Sequence, residues 1–283
     1  MYSAVPNFSL ESKTIVITGG YGQIGQSFVK GCFQAGASVA ILEPGASESR
    51  TKDLFGDDYK SGKIEAFKAD VTSKASLEKA CEQITKRFGV PDGLINNAAL
   101  DSPPNSTASE NGPFEDYPAE SWDKIMEVNA KGVFQCCQVF GKIMAEQLRG
   151  SIINIASIYG SVSPDQSLYQ YRRERGELFY KPVAYSASKS ALYNLTRYLS
   201  VYWGPVGVRT NTLTFAGVFN HQDPEFLEAY GKKIPLNRGQ PFRHLHKMAS
   251  PEDFVGPAIF LLSDASSYVT GADLRVDGGF LAT

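Results

Sequence analysis

Residues 13–43 read KTIVITGGYGQIGQSFVKGCFQAGASVAILE, and this stretch decides the fold. An apolar run, Thr14 to Ile17, meets a glycine turn. A helical pattern follows, and then a second apolar run, Val39 to Leu42, closes on an acid, Glu43. That order is strand, turn, helix, strand, with G-x-x-G-x-x-G at Gly19, Gly22 and Gly25. One glycine allows a sharp turn after the strand, another lets backbone approach a pyrophosphate, and the last lets helix and strand pack closely. The helix then opens with free N–H groups and a partial positive charge facing the phosphates. Glu43 lies 18 residues after Gly25, near the ~20 expected of the acid that bonds a ribose 2′-hydroxyl. A glycine turn alone is common. The complete unit points to dinucleotide binding.

The remaining chain extends the same alternation. Pro44 to Gly62 reads as a polar, glycine-bearing connection. Lys63–Lys68 reads as a third strand ending in Ala69-Asp70-Val71, and Thr72 or Ser73 opens a helical pattern from Ser76 to Phe88. Asp70 can bond an adenine amino group or serve the start of that helix. Asp92–Ile95 is the fourth strand, leading into Asn96-Asn97-Ala98-Ala99, small and amide residues suited to a ligand crevice. Glu120 to Gln147 is amphipathic, with Trp122, Ile125, Met126, Val133, Phe134 and Phe140 at three- and four-residue steps. Asn129 sits in its middle, where asparagine is a poor helix residue and a solvent-facing side chain is the plain alternative to a functional one. Ser151–Ile155 is a continuous apolar strand, Pro182 to Trp203 a helix, Val206–Leu213 the sixth strand, Pro251 to Leu262 a helix and Ala272–Val276 the seventh strand. The expected architecture is α/β: a single Rossmann domain over residues 1–283, with a doubly wound, seven-stranded parallel sheet and helices on both faces. Three stretches leave the pattern, at about 101–118, 163–181 and 216–247, and read as insertions over the crevice.

Composition narrows the partners. The 283 residues are 42% hydrophobic and 20% charged, with net charge −2, which disfavours a nucleic-acid or membrane-surface binder. The N-terminus has no basic region followed by an apolar run, and no apolar stretch approaches a membrane span. A cytoplasmic protein is expected. Cys32, Cys81, Cys136 and Cys137 show no metal spacing and read as small buried residues in a reducing compartment, so no metal is expected.

The sharpest constellation is Ser157, Tyr185 and Lys189. A helix puts Tyr185 and Lys189 on one face, one turn apart. A tyrosine of pKa ~10 is a poor acid–base group at neutral pH. A neighbouring ammonium favours the phenolate and is expected to lower that pKa. Ser157, at the end of strand five, can hydrogen-bond the reacting oxygen.

With these residues in place the sequence resembles the short-chain dehydrogenase/reductase family, from Thr18-Gly19 to Val276-Asp277-Gly278-Gly279. The resemblance implies that Tyr185 is the general acid/base, that Lys189 lowers its pKa and binds the nicotinamide ribose, that Ser157 orients substrate and that Asn129 holds a proton-relay water. It also implies cofactor contacts from Gly19, Tyr21, Gly22, Gln23, Ile24, Glu43, Asp70, Val71, Asn97, Ala98, Ala99, Gly217 and Val218, besides Tyr185 and Lys189. Asp70-Val71 looks like the family's adenine-binding pair, and the backbone of Val218 would meet the nicotinamide carboxamide. The chain departs from the family pattern at Gln23, where T-G-x-x-x-G-x-G has glycine, and is closer there to the extended branch without that branch's C-terminal domain. Ala99 replaces the glycine of N-N-A-G, Ala216-Gly217 stands for Pro-Gly, and 28 residues separate Ser157 from Tyr185.

Glu43 accepts two ribose hydroxyls and repels a 2′-phosphate, and the glycine loop carries no Lys or Arg, so NAD is expected over NADP. The insertions carry Arg172, Arg173 and Arg175, then Arg238, Arg243, His244, His246 and Lys247. This polarity favours a sugar-like substrate, including one whose carboxylate or phosphate an arginine grips, over a steroid or acyl chain. The basic residues read equally well as a solvated face. Residues 157–160, the insertion and 217–220 are also similar to bacterial oxidoreductases of nonulosonic-acid or surface-sugar synthesis. A ketoacyl or other small carbonyl reductase is the alternative enzyme, and a non-catalytic NAD sensor the alternative of another class. A substrate screen separates the first, and the intact Asn129/Ser157/Tyr185/Lys189 set argues against the second. The family usually forms homotetramers or homodimers through the long helices.

Overall fold

Five consecutive buried residues, Thr14–Thr18, form β1, the strand around which the sheet is laid. The computed structural model describes residues 7–101, 110–236 and 248–283. Arg238, Arg243, His244, His246 and Lys247, and residues 102–109 of the first insertion, lie outside them. Helix α1 is Gln23–Gln34, β2 Ser38–Glu43, α2 Glu48–Lys60 and β3 Ile64–Lys68. Helix α3 is Lys74–Phe88, β4 Gly93–Asn96, α4 Ala119–Met126, α5 Val133–Glu146 and β5 Gly150–Ser157. The short helices α6, Ile158–Ser161, and α7, Gln170–Glu174, precede α8, Val183–Trp203. Strand β6, Val208–Phe215, α9, Pro224–Gly231, α10, Val255–Leu262, and β7, Asp273–Val276, complete the chain.

The seven strands are all parallel in the order β3-β2-β1-β4-β5-β6-β7. Alternation along the strands feeds two cores. Ile15, Ile17, Val39 and Ile41 meet Phe28, Val29 and Phe254 on one face. Val16, Ala40, Leu42 and Leu94 meet Leu77, Ile84, Phe140 and Leu192 on the other. A sheet covered on both faces explains why these strands read as unbroken apolar runs. The order reverses between β1 and β4, and in such sheets ligands bind there, beyond the carboxyl ends of the strands.

The structure corrects three sequence expectations. Pro44–Gly62 is not a plain connection, since Glu48–Lys60 is helical and Ser47 Oγ accepts from Arg50 N. Only Thr51 and Phe55 of that helix are buried and Gly56 interrupts it at φ 51°, so its apolar pattern is faint. The amphipathic stretch at 120–147 is two helices joined by a π-turn, Glu127–Gly132, whose extra residue shifts the register. Asn129 in that turn is fully buried and does not face solvent. Strand six begins at Val208, because Gly204–Val206 forms a 3₁₀ turn and Gly207 takes φ 78°.

Candidate active site

The glycine turn between β1 and α1 is built by close approach. A Cβ on Gly25 would lie 2.1 Å from Gly19 O, and one on Gly19, at φ 68°, would lie 2.9 Å from Ala98 Cα. Gly22 caps α1 with no side-chain hydrogen bond, which leaves the first N–H groups of the helix for an anion. The turn is stapled to the end of β4. Thr18 Oγ1 accepts from Asn97 N at 3.0 Å and Ala98 N at 2.9 Å, and Asn97 Nδ2 donates to Thr18 O and Gly19 O at 3.1 Å. A pyrophosphate cradle of this kind fits a dinucleotide.

Several expected contact residues are also used by the protein itself. Glu43 Oε1 accepts from Tyr21 N at 2.8 Å. Burial raises the Glu43 carboxyl above its ordinary range, while this bond and the Arg50 charge oppose the rise. The Tyr21 ring is buried, its hydroxyl 2.7 Å from Thr51 Oγ1, and the Arg50 guanidinium sits 5.0 Å from the ring centroid. Asp70 Oδ1 accepts from Thr72 N at 2.9 Å and Thr72 Oγ1 at 2.8 Å, while Ser73 caps α3. Val71 meets the π-turn, so closely that a Cβ on Gly132 would lie 2.9 Å from Val71 Cγ2. Gln23, at the family's glycine position, sends Nε2 across the crevice to Phe219 O at 2.8 Å. Gly217 N donates to Tyr230 OH at 2.6 Å, and Val218 forms an isolated parallel bridge with Ala249.

A cavity of about 850 Å³ runs from Gln23 and Ile24 past Asn97 and Ala99 to Ser157, Tyr185 and Lys189, with Gly217 and Val218 on its far wall. Lys189 is 3% exposed. Its Nζ donates to Ile155 O at 2.8 Å and lies 5.8 Å from the Tyr185 ring centroid. The lowered tyrosine pKa expected from the sequence is not a property of the protein alone. Burial pushes the Tyr185 phenol up and the Asp101 charge adds to that, while the Ser157 hydroxyl opposes it. The same dry environment pushes the Lys189 ammonium down to about 8, with Asp101 working against the fall.

Asn129 belongs to this constellation through backbone. Its Oδ1 accepts from Leu100 N at 2.7 Å, and its Nδ2 donates to Leu100 O at 2.8 Å and Ser188 Oγ at 3.0 Å. It thereby ties the segment after β4 to α8. Sequence reasoning missed Tyr193, four residues after Lys189 and on the same helix face. Its hydroxyl donates to Ser157 O at 2.9 Å and lies 3.0 Å from Thr214 Oγ1, which fixes the end of β5. It also missed Lys181, Asp101 and Tyr159, which line the cavity beside Tyr185.

The arginines of the insertion are engaged by protein groups, and Arg172 also lines the cavity. Arg172 Nε donates to Glu177 Oε2 at 2.7 Å and stacks 4.0 Å from the Phe179 centroid. Arg173 binds the carbonyls of Phe179 and Gln166, and Arg175 pairs with Glu225. Among the described residues no group of His, Cys, Asp and Glu could hold a metal ion, and no helix is long and apolar enough to cross a membrane.

Comparison with known proteins gives the same picture. Residues 21–281 match the family model described as enoyl-(acyl carrier protein) reductase. A D-threitol dehydrogenase of Mycolicibacterium smegmatis is 31% identical over 281 residues, covering 97% of this chain and 95% of that protein. A short-chain dehydrogenase of Leptospira borgpetersenii, crystallised with NAD+, is 31% identical with TM-score 0.81, covering 99% and 98% of the two chains. A gluconate 5-dehydrogenase of Burkholderia cenocepacia, crystallised with NADP and tartrate, is 25% identical with TM-score 0.82, covering 99% and 100%.

Proposed function

Since the chain belongs to the short-chain dehydrogenase/reductase family and is a nicotinamide-dependent oxidoreductase, we propose that it interconverts a secondary alcohol of a polyol or sugar-derived substrate and its ketone, with NAD preferred. The observation that carries this reading is Tyr185 and Lys189 on one face of α8, beside Ser157, in a polar cavity that opens at the glycine turn.

The residues divide the work. The α1 N-terminus, Gly19, Gly22 and the Asn97–Ala99 backbone hold the pyrophosphate and line the path to the nicotinamide. Glu43 and Asp70 stand at the ribose and adenine end. When bound, the nicotinamide ring supplies the hydride acceptor. Ser157 donates a hydrogen bond to the substrate oxygen. The Tyr185 phenolate takes the hydroxyl proton as the C–H bond breaks, and in the reverse direction the phenol returns it. Lys189, held by Ile155 O, places its charge beside that phenolate. Asn129 fixes Leu100 and α8 so that a proton path from the phenol stays open.

Glu43 at the end of β2 supports NAD, although Arg50 adds a positive charge nearby. Asp101, Lys181, Gln222 and Asp223 in the cavity support a polyol over a ketoacyl chain. The relatives named for threitol and gluconate agree with that polarity. The whole chain acts as one catalytic domain whose insertions shape the substrate site. Four buried free cysteines fit a reducing cytoplasm, and exposed Tyr198, Val201 and Tyr202 on α8 fit a homodimer or homotetramer.

Initial rates on a panel of polyols and ketoses, against acetoacetyl thioesters, with each cofactor, test the reading. Turnover of thioesters alone would replace it with the ketoacyl alternative. Binding of NAD without turnover of any substrate would favour a sensor.

A further inference from the structure

Ser157 and Tyr185 between them occupy one substrate oxygen, yet the cavity holds polar groups beyond that need. Lys181 closes the second insertion with its side chain 11% exposed and its Nζ 5.2 Å from the Tyr185 ring centroid. Its ammonium meets both carboxylate oxygens of Asp101, at 2.5 and 2.6 Å. That carboxylate is close enough to raise the pKa of both Tyr185 and Lys189.

The placement of Lys181 is built. Lys181 N donates to Gln166 Oε1 at 2.9 Å, and Gln166 Nε2 donates to Lys181 O at 3.1 Å. Gln166 O in turn accepts from Arg173 Nη2 at 2.8 Å. One side-chain amide thus clamps both backbone groups of the lysine, and Arg173 inside the insertion anchors the backbone of the residue that carries it. Tyr159, two residues after Ser157, lies on the same cavity wall and is 9% exposed. Its hydroxyl has no hydrogen-bond partner among the described residues. Burial raises the Tyr159 phenol, and a side-chain interaction with the Tyr169 phenol works against that rise. A buried hydroxyl left unpaired is a cost that a ligand oxygen removes.

Resting on the dehydrogenase reading above, the geometry points to Asp101, Lys181 and Tyr159 as a subsite for a second hydroxyl, on the carbon next to the reacting one. It selects vicinal diols and α-hydroxy ketones over simple alcohols and ketones. A hydroxyl both donates and accepts, and the ion pair offers both functions. The carboxylate keeps lone pairs free of the lysine, and the ammonium keeps a third proton after its two bonds to Asp101. A simple alcohol leaves all of these unused. An exposed ion pair contributes little. In this one the lysine side chain is shielded while the Asp101 side chain is 51% exposed, and the pair stands beside the reacting phenol. The insertion therefore carries Lys181 to the substrate, and the arginines within it are its scaffold.

The test compares 2,3-butanediol with 2-butanol, which differ by one hydroxyl, using the full chain with NAD. The unsubstituted enzyme should favour the diol in kcat/KM by roughly tenfold or more. Tyr159→Phe and Lys181→Met should each lower that preference severalfold, chiefly through the KM for the diol. NAD binding, followed by nucleotide fluorescence, reports whether each variant is folded. Tyr159→Phe removes only an oxygen, so it carries the test if Lys181→Met fails to fold. A preference near one, or a preference that neither substitution moves, overturns the subsite. Equal losses on both alcohols also overturn it, because a purely structural ion pair would give that result. If neither alcohol is oxidised with either cofactor, the subsite for a second hydroxyl falls, and turnover on the polyol panel decides whether the dehydrogenase reading falls with it. Oxidation of both with an unmoved preference sinks the subsite alone.

Discussion

Lys189 follows Tyr185 by one helical turn, with its Nζ 2.8 Å from the Ile155 carbonyl oxygen and 5.8 Å from the centre of the Tyr185 ring. Lys189 is buried and Tyr185 half-buried in the same wall, and loss of solvent moves their pKa values in opposite directions, the phenol up and the ammonium down to about 8. The two shifts separate the pKa values, so in the cofactor-free protein the phenol holds its proton more firmly than a free tyrosine does.

Lys189 gives a signed stability test. Its folded pKa of about 8 lies below its unfolded value of 10.5, so between these pH values the unfolded chain binds more protons at this site. Its contribution to stability therefore rises with pH across that window, by on the order of 3 kcal/mol if fully expressed. In cofactor-free protein, the stability of the unsubstituted enzyme relative to Lys189→Met should climb from pH 8 to 10. Chemical denaturation at four or five pH values checks this, and a flat difference would remove Lys189 as a desolvated ammonium.

Asn129 should be costly to truncate because its buried side chain makes three hydrogen bonds. Asn129→Ala strips partners from Leu100 N and Leu100 O and from Ser188 Oγ. Unpaired buried groups of this kind cost ~1–3 kcal/mol each, so a total loss of about 3 kcal/mol is expected, partly relieved by water. Urea midpoints measure the loss, and kcat should fall with it because Leu100 and α8 lose their tie.

Glu43 is expected to set the cofactor preference against Arg50. Glu43→Gln keeps the acceptor for Tyr21 N but removes the charge that a 2′-phosphate would meet, and leaves the Arg50 charge unopposed. The ratio of kcat/KM for NADP to that for NAD should rise by about tenfold or more, equivalent to ~1.4 kcal/mol. Steady-state kinetics with both cofactors measure it.

Gln23 spans the crevice to Phe219 O, where the family pattern has glycine. Gln23→Ala removes the span. Stopped-flow fluorescence should then show NAD leaving several times faster, in keeping with a lost hydrogen bond of ~1 kcal/mol, and the KM for NAD should rise in proportion.

How much of this could be read from the sequence follows from how local each signal is. The β1–α1 turn was legible because its glycines, its helix face and Glu43 all lie within one short stretch. Tyr185 and Lys189 were legible because i,i+4 spacing fixes their neighbourhood. Helix α2 was not, because Gly56 and a polar composition hide its two buried positions. The π-turn was not, because one extra residue per turn leaves no compositional mark, and the burial of Asn129 was not, because its partner Leu100 lies 29 residues away. Lys181 was hidden for the same reason: Asp101 is 80 residues distant and Gln166 sits at the other end of the insertion. Arg172, Arg173 and Arg175 were read by charge alone. Their partners, Glu177, the Phe179 and Gln166 carbonyls and Glu225, showed only in the fold.

The central claim is that the Tyr185 phenol exchanges a proton with the substrate alcohol at a site that binds the nicotinamide independently. Tyr185→Phe removes that one oxygen. Polyol oxidation by this variant should fall by at least about 100-fold in kcat, while its NAD dissociation constant, measured by calorimetry, stays within a few-fold of the unsubstituted enzyme. Turnover that survives the substitution would contradict the account.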